Sequence, residues 1–273
     1  YWRDWSSDVC SSDLGLPSDR IRALLIDHSG RLWIGTDKGP AWKTEEGFRA
    51  LGISDGLLPR KVLCFYQDSR ERVWIGTEKG ALRYEDESFY LWTGADGLVH
   101  PRVRSISEDR EGNLWFGTRE GASRCTETFS GTLWETFTTR NGLSFDRIRS
   151  IHLDGQGNLW FGTFFGGVSR FTDRAFSYHN ESSGLRGTIV QALASRPAGD
   201  GEYVAVGTWE GLTRFGEYDQ VVHYDTLGTL LSSVVTALVY DRRGRLWVSW
   251  GLGLRRAAMA RPSLPSSLFR LGA

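Results

Sequence analysis

The sequence predicts an all-β fold, a β-propeller of about six four-stranded blades, on three observations. The first is composition: 273 residues carry 33 glycines, only 7 prolines and 12 tryptophans. Abundant glycine with few prolines and many large aromatics suits tight turns between packed strands, and argues against disorder. The second is a recurring unit. Leu32 to Thr36 reads LWIGT, and the pattern returns as VWIGT at Val73, LWFGT at Leu114 and Leu159, VAVGT at Val204 and LWVSW at Leu246. Its second positions, 33, 74, 115, 160, 205 and 247, are spaced 41, 41, 45, 45 and 42 residues apart. The third is the absence of a helical period within the repeat, which resolves instead into four short extended pieces.

Those pieces follow in a fixed order. An apolar, β-branched segment comes first: Ile21 to Ile26, Val62 to Gln67, Val103 to Glu108, Ile148 to Leu153, Ile189 to Ala194 and Val235 to Tyr240. A turn follows, opened by Asp27, Asp68, Asp109, Asp154 or Asp241, each six residues before its tryptophan, usually with glycine three residues on (Gly30, Gly112, Gly157, Gly244). Aspartate caps its own turn and glycine supplies positive φ, so this is hairpin chemistry. The LWxGT strand comes next, then a glycine and a third strand that usually carries arginine (Arg83, Arg124, Arg170, Arg214, Arg256). The fourth piece is aromatic, with Phe48, Phe89, Trp134, Phe176 or Tyr224. Turns of the type Asp55-Gly56-Leu57, Asp96-Gly97-Leu98 and Asn141-Gly142-Leu143 lead into the next repeat.

One such blade cannot bury both faces, so blades must stack around an axis. The repeated tryptophan is read as the wedge between neighbouring blades. The arginine column is expected to serve the scaffold, with a repeated aspartate such as Asp68 or Asp109 as candidate partner. Six repeats suffice for a six-bladed ring with one strand borrowed from a terminus. They also make up most of a seven-bladed ring, and an open fan would expose apolar blade faces.

Charge and composition exclude several functions. Lys and Arg total 33 and Asp and Glu total 33, so the electrostatic footprint of a general nucleic-acid binder is missing. No apolar run is long enough to span a membrane within this chain. Three cysteines make neither a disulfide framework nor a four-cysteine zinc site. Cys64 falls in a column of small residues and Cys125 in a column of aromatics, so both read as packing. The five histidines share no repeat position and no ligand spacing, and neither a metal nor a cofactor is expected.

The unit D-x-x-G-x-LW[IF]GT-x-x-G-[LAV]-x-R, ending in DGL, resembles the two-component regulator propeller repeat over residues 15–256. That repeat builds the sensor portion of bacterial hybrid two-component receptors. The resemblance implies a ligand-sensing module on the periplasmic or extracellular side of an inner membrane, joined to the remainder of a signalling receptor, with a homodimer as one arrangement of the parent protein. Repeat five departs from the pattern at Ala205 and in a longer turn at Pro197 to Gly201, and repeat six at Ser249-Trp250. Residues 1–14 fit no repeat. Trp5 to Leu14 reads as a translated sequencing-library adapter, so a non-native leader containing Cys10 is expected there, with an atypical tail over 257–273.

The candidate site lies where the turn entering the innermost strand meets the loop between the second and third strands. The residue before the inner strand is Arg20, Lys61, Arg102 and Arg147 in the first four repeats, while the loop after Gly-Thr varies freely and supplies Lys79, Arg119, Phe164, Phe165 and Trp209. On one reading these cations only solvate a rim. On the other they hold carboxylate or sulfate groups of a small molecule or oligosaccharide, with the aromatic rings stacking on its sugar faces. An enzyme of the lyase or lactonase type, or a protein-interaction scaffold, is the alternative. No catalytic residue stands out, since G-x-S-x-G, P-loop and HExxH motifs are all missing from the sequence.

Overall fold

The computed structural model describes residues 15–52, 60–172, 175–196, 203–216, 221–224, 234–241, 243–250 and 253–256. The leader, the tail, the turn at Asp55-Gly56-Leu57 and the long turn at Pro197 to Gly201 lie outside them. Blade 1 consists of β1 (Ile21–Ile26), β2 (Leu32–Thr36), β3 (Gly39–Lys43) and β4 (Phe48–Ala50). Blade 2 has β5 (Val62–Gln67), β6 (Val73–Thr77), β7 (Gly80–Glu85) and β8 (Ser88–Trp92). Blade 3 has β9 (Ser105–Glu108), β10 (Leu114–Gly117), β11 (Ala122–Thr128) and β12 (Gly131–Phe137). Blade 4 has β13 (Ile148–Leu153), β14 (Leu159–Thr163), β15 (Val168–Thr172) and β16 (Ala175–His179). Blade 5 has β17 (Val190–Ser195), β18 (Val204–Thr208), β19 (Leu212–Phe215) and β20 (Val221–Tyr224). The sixth sheet shows three strands among the described residues, β21 (Val235–Tyr240), β22 (Leu246–Trp250) and β23 (Gly253–Arg256). Every sheet is an antiparallel meander.

The turn after each inner strand shows why the aspartate recurs. Asp27 closes its turn through Gly30 N–H to the Asp27 carbonyl at 2.8 Å, while its carboxylate accepts from the Arg31 backbone N–H at 2.9 Å and from the Trp33 indole Nε1–H at 2.8 Å. The indole bond repeats at Trp74–Asp68 (2.8 Å), Trp115–Asp109 (2.8 Å), Trp160–Asp154 (2.7 Å) and Trp247–Asp241 (3.0 Å). One carboxylate thus ties the hairpin to the wedge. Burial opposes ionisation of Asp27, but donors from Ser29, Trp33 and Arg31 outweigh it and hold its carboxyl below the usual range.

The glycine of this turn is replaced in blade 2 by Glu71, at φ 65, whereas Gly30 and Gly112 stand at 84 and 82. A glutamate there bears a Cβ clash that glycine avoids. Glu71→Gly is therefore expected to raise stability by roughly 0.5–1 kcal/mol, the relieved strain exceeding the entropy lost by glycine. Chemical denaturation checks this, and an unchanged or lower midpoint counts against it.

The arginine column departs from the expectation. Arg124 and Arg170 sit directly across the ladder from Trp115 and Trp160, and their guanidinium carbons lie 5.5 and 5.6 Å from those indole rings. The repeated aspartates are occupied by indole and turn donors. Arg124 and Arg170 cover the tryptophan faces instead, as cation–π lids, and Arg124 adds an ion pair to Glu135, while Arg83 lies over Tyr90 at 4.7 Å and pairs with Glu85 at 3.2 Å. In blade 5, where Ala205 replaces the tryptophan, Arg214 turns onto Tyr203 at 4.1 Å.

The tryptophans wedge between blades as expected. Trp33 packs with Val62 and Phe65 of blade 2, Trp74 with Val103 and Phe116 of blade 3, and Trp115 with Ile148 and Phe161 of blade 4. The glycine of LWxGT has a separate reason. A Cβ on Gly76 would stand 2.4 Å from Cys64 Sγ and 2.8 Å from the Val103 carbonyl oxygen, and one on Gly117 would stand 2.7 Å from Ile148 Cγ2. The next inner strand presses on this backbone, which leaves no room for a side chain.

The two ends of the fan differ from its middle. Val62, Val103, Ile148 and Val190 are buried against the preceding blade, but the equivalent Ile21 is 49% exposed and Leu24 is 61% exposed. Inner strands β1, β5, β9, β13, β17 and β21 pack in succession, and no comparable packing joins β21 to β1 among the described residues. Ser249 takes the glycine position in the sixth sheet. Blade 1 therefore presents an uncovered apolar face. The described residues form five four-stranded blades and a three-stranded sheet of a larger propeller.

Candidate functional site

The loops meet the inner strands on one face. The Asp37 N–H donates to the Arg20 carbonyl at 3.2 Å, Glu78 N–H to Lys61 at 3.3 Å, Phe164 N–H to Arg147 at 3.0 Å and Trp209 N–H to Ile189 at 3.2 Å. The variable loops of blades 1, 2, 4 and 5 are thereby clipped beside the residue that precedes their own inner strand.

The charge on this face is divided unevenly. Asp37 accepts from Arg22 at 2.7 and 3.2 Å, with Lys61 Nζ at 3.5 Å and Arg20 at 3.9 Å. The Arg22 hydrogen bond in particular holds the Asp37 carboxyl below the usual range. Arg102 reaches Glu78 at 3.3 Å. Blades 1 and 2 are therefore largely neutralised. Arg119 and Arg147 have no carboxylate within ion-pair distance among the described residues. Arg147 lies with its guanidinium carbon 4.0 Å from the centre of the Phe164 ring. Lys79 contributes backbone contacts, its N–H donating to Thr77 Oγ1 at 3.1 Å and its carbonyl accepting from Arg60 at 3.1 Å.

The aromatic residues form one cluster. Phe164 meets Phe165 edge to face at 4.4 Å and lies near Trp209 at 6.4 Å. Phe165 turns outward onto Phe145 at 5.8 Å and, with Tyr178, Ser144, Asn180 and Thr188, lines a groove of about 430 Å³. The loop is one residue longer here than in other blades, so Thr163 Oγ1 bonds the Gly167 carbonyl four residues on rather than three. That extra residue pushes Phe165 out. Phe165 is 53% and Trp209 44% exposed.

Three further arginines belong to this face and were not singled out from the sequence. The ladder shifts register between Ile21 and Ala23, Val62 and Cys64, Ile148 and Ser150, Val190 and Ala192, and Val235 and Ala237. The residue skipped at each shift is a β-bulge: Arg22, Leu63, Arg149, Gln191 and Thr236, with Arg104 at the same position in blade 3. A bulge re-aims its side chain out of the ladder. The Arg149 Nη2 donates to Gln191 Oε1 at 2.7 Å, so bulge residues of adjacent blades meet. The signal in the sequence was the second position of each inner segment.

His100 also reaches this face. Its Nδ1 accepts from the Arg102 N–H at 3.0 Å, and Nε2 lies 3.9 Å from Glu120 Oε1. The ring builds the turn, much as Ser18 does before Arg20 at 3.3 Å.

Known proteins carry the same architecture. The sequence profile of the two component regulator propeller matches residues 15–38, 56–79, 97–120, 142–165 and 229–249. The unmatched repeat is the one with Ala205. No curated protein matches the chain in sequence. Among solved structures, the extracellular domain described as that of a hybrid two component system, BT3049 from B. thetaiotaomicron, superposes with a TM-score of 0.74 at 22% identity, covering 85% of this chain and 33% of its own. This chain thus spans about a third of that domain. A virginiamycin B lyase from Staphylococcus aureus superposes at 0.66 with 15% identity, over 89% of this chain and 86% of its own. An ancestral GH74 enzyme, AFV00434, superposes at 0.64 with 12% identity, over 86% of this chain and 36% of its own. At such identities these likenesses describe the fold. The repeat itself is specific, and five of the six units of this chain are two component regulator propeller repeats.

Proposed function

We propose that this chain is the ligand-sensing propeller of an extracytoplasmic bacterial two-component receptor, and that its loop face binds a polar anionic molecule, with an acidic oligosaccharide as the class that suits the face best. The repeats and the extracellular origin of the similar hybrid-system domain support the placement. No helix among the described residues is long and apolar enough to cross a membrane, so the membrane segment and the signalling output would belong to the remainder of the receptor, with a homodimer as its working form.

The observation that carries the ligand class is the pairing of uncompensated cation with exposed ring. Arg147 stacks on Phe164 and Arg119 stands uncompensated, while Trp209 and Phe165 offer open faces. A carboxylate or sulfate on a sugar meets the first, and the apolar face of the ring meets the second.

Calorimetric titration with carboxylated and sulfated oligosaccharides is expected to show binding that neutral homologues lack. Arg147→Ala is expected to weaken it roughly tenfold or more, the loss of one charge-assisted contact. No heat with any acidic oligosaccharide, or equal affinity in the variant, removes this reading. A lyase reading requires a poised base, and His100 commits one ring nitrogen to its turn. Turnover of an acidic oligosaccharide by the isolated chain would favour that alternative.

A further inference from the structure

Below the rim, the inner strands carry a second and more enclosed feature. Among the six bulge positions, Leu63 and Thr236 are uncharged, Gln191 is neutral, and Arg22 is neutralised by Asp37. Arg104 and Arg149 remain. They occupy equivalent positions, Arg104 immediately before β9 and Arg149 in β13, and these neighbouring strands are fastened by the Ile151 N–H donating to Ser105 Oγ at 2.8 Å. Both are partly buried, and no carboxylate lies within ion-pair distance of either among the described residues.

We propose that Arg104 and Arg149, with Arg147 at the edge, form an oxyanion site in the propeller channel that takes one compact sulfate, phosphate or carboxylate group. The Arg149 fork is held in place by Gln191 at 2.7 Å on one side and by the Phe164 ring at 5.0 Å on the other. Its Nε is buried without a hydrogen-bond partner. A partly buried guanidinium without a counter-charge is costly, and an anion oxygen that reaches its terminal nitrogens from the channel would offset that cost. Of the carboxylates near this face, Asp37 is taken by Arg22 and Lys61, Glu78 by Arg102 and Asp146 by the Thr139 N–H, while Glu120 lies beside His100.

The electrostatics agree with this geometry. Burial, followed by the charges of Arg104, Arg147 and Arg102, pulls the Arg149 guanidinium down to about 10. Burial and then Arg102, Arg147 and Arg22 lower Arg104. Guanidiniums crowded together without a counter-charge destabilise the fold that holds them. A scaffold role alone gives no reason to place two on adjacent bulges where leucine, glutamine or threonine serves in other blades.

This inference rests on reading the loop face as the ligand face, but its probe is inorganic and independent of any oligosaccharide. Melting of the whole chain is followed in sodium sulfate and in sodium phosphate, against sodium chloride of equal ionic strength. At anion concentrations about ten times the dissociation constant, the melting temperature is expected to rise by roughly 3–6 °C over chloride. In Arg104→Gln and Arg149→Gln the sulfate increment is expected to vanish, while melting in chloride stays level or rises as repulsion is relieved. Arg119→Gln, on the outer loop, is expected to keep the increment. A sulfate increment that persists in the double variant overturns the site, as does a wild-type chain that responds alike to sulfate and chloride. Melting of either variant below wild type in chloride assigns the arginines to the scaffold and overturns it too. A sulfate effect without oligosaccharide binding supports the inner site and removes only the proposed ligand. Oligosaccharide binding that is lost in Arg147→Ala, without any sulfate effect, has the opposite meaning.

Discussion

Trp115→Ala is expected to destabilise the chain by about 3–5 kcal/mol, the usual range for truncating a fully buried large aromatic. The indole is 0% exposed and packed by Phe137 at 4.8 Å, Phe171 at 5.1 Å and Phe161 at 5.4 Å. Its removal leaves a cavity shared by blades 3 and 4 and strips Arg124 of the surface it covers. Asp109 also loses its indole donor. Each blade leans on its neighbours, so the loss should spread from this interface first. Denaturant titration measures the total, and hydrogen exchange should quicken earliest in β10, β11, β13 and β14. A loss below about 1 kcal/mol would show that the wedge is dispensable, against the cavity argument.

Blade 5 sets the limit of that argument, because Ala205 occupies the wedge position naturally. Ala205 is also 0% exposed, but the buried residues clustered with it are aliphatic, Leu212, Val235, Leu246 and Val248, with Tyr240 packed at the margin. The interface is built for a small side chain there. Trp115→Ala keeps surroundings shaped for indole, which is why the same residue type costs so much at one position and is native at the other.

The contrast explains which features the sequence disclosed. The repeat, the wedge and the turn aspartate are local and periodic, so counting along the chain finds them. The bulge arginines are hidden by the same counting. Strict alternation groups Arg22 with Leu24 and Ile26, and Ile21 with Ala23, but the bulge puts Ile21 and Leu24 on one face and turns Arg22 elsewhere. A single extra residue in the ladder reverses the parity on which a face is assigned. The partner of the arginine column was missed for a different reason. A search for opposite charge overlooks an aromatic face, and only the ladder register shows Arg124 across from Trp115. Closure is a relation between blades 1 and 6, far apart in sequence, and no local pattern records it. The uncovered Ile21 and Leu24 do. Of the rim residues, the structure clips Arg147 and Phe164 together, sets Phe165 against Phe164 and gives Lys79 backbone contacts, a division that the loop sequences alone do not contain.

Asp68→Ala should cost about as much as losing the wedge itself, roughly 3–5 kcal/mol, since it orphans a buried charge and a buried donor together. Asp68 is 1% exposed and accepts from Trp74 Nε1 at 2.8 Å, from the Arg72 N–H at 2.9 Å and from Arg72 Nε at 2.7 Å. Arg72 is itself 6% exposed, and its other bonds run to Glu127 of blade 3 at 2.8 and 2.9 Å. Asp68 is thus the near half of a carboxylate–guanidinium–carboxylate bridge between blades, an arrangement that blades 3 and 4 replace with asparagines, Asn113 and Asn158. Asp68→Asn keeps one carbonyl acceptor but no charge, and should fall between wild type and alanine. The double variant Asp68→Ala/Arg72→Met separates the two causes. If the orphaned guanidinium dominates, removing it as well should recover about half of the loss or more, because a paired deletion leaves no buried charge behind. Recovery of nothing would assign the loss to the indole N–H and the opened turn, and Trp74→Phe in the Asp68→Ala background would then restore stability where Arg72→Met does not.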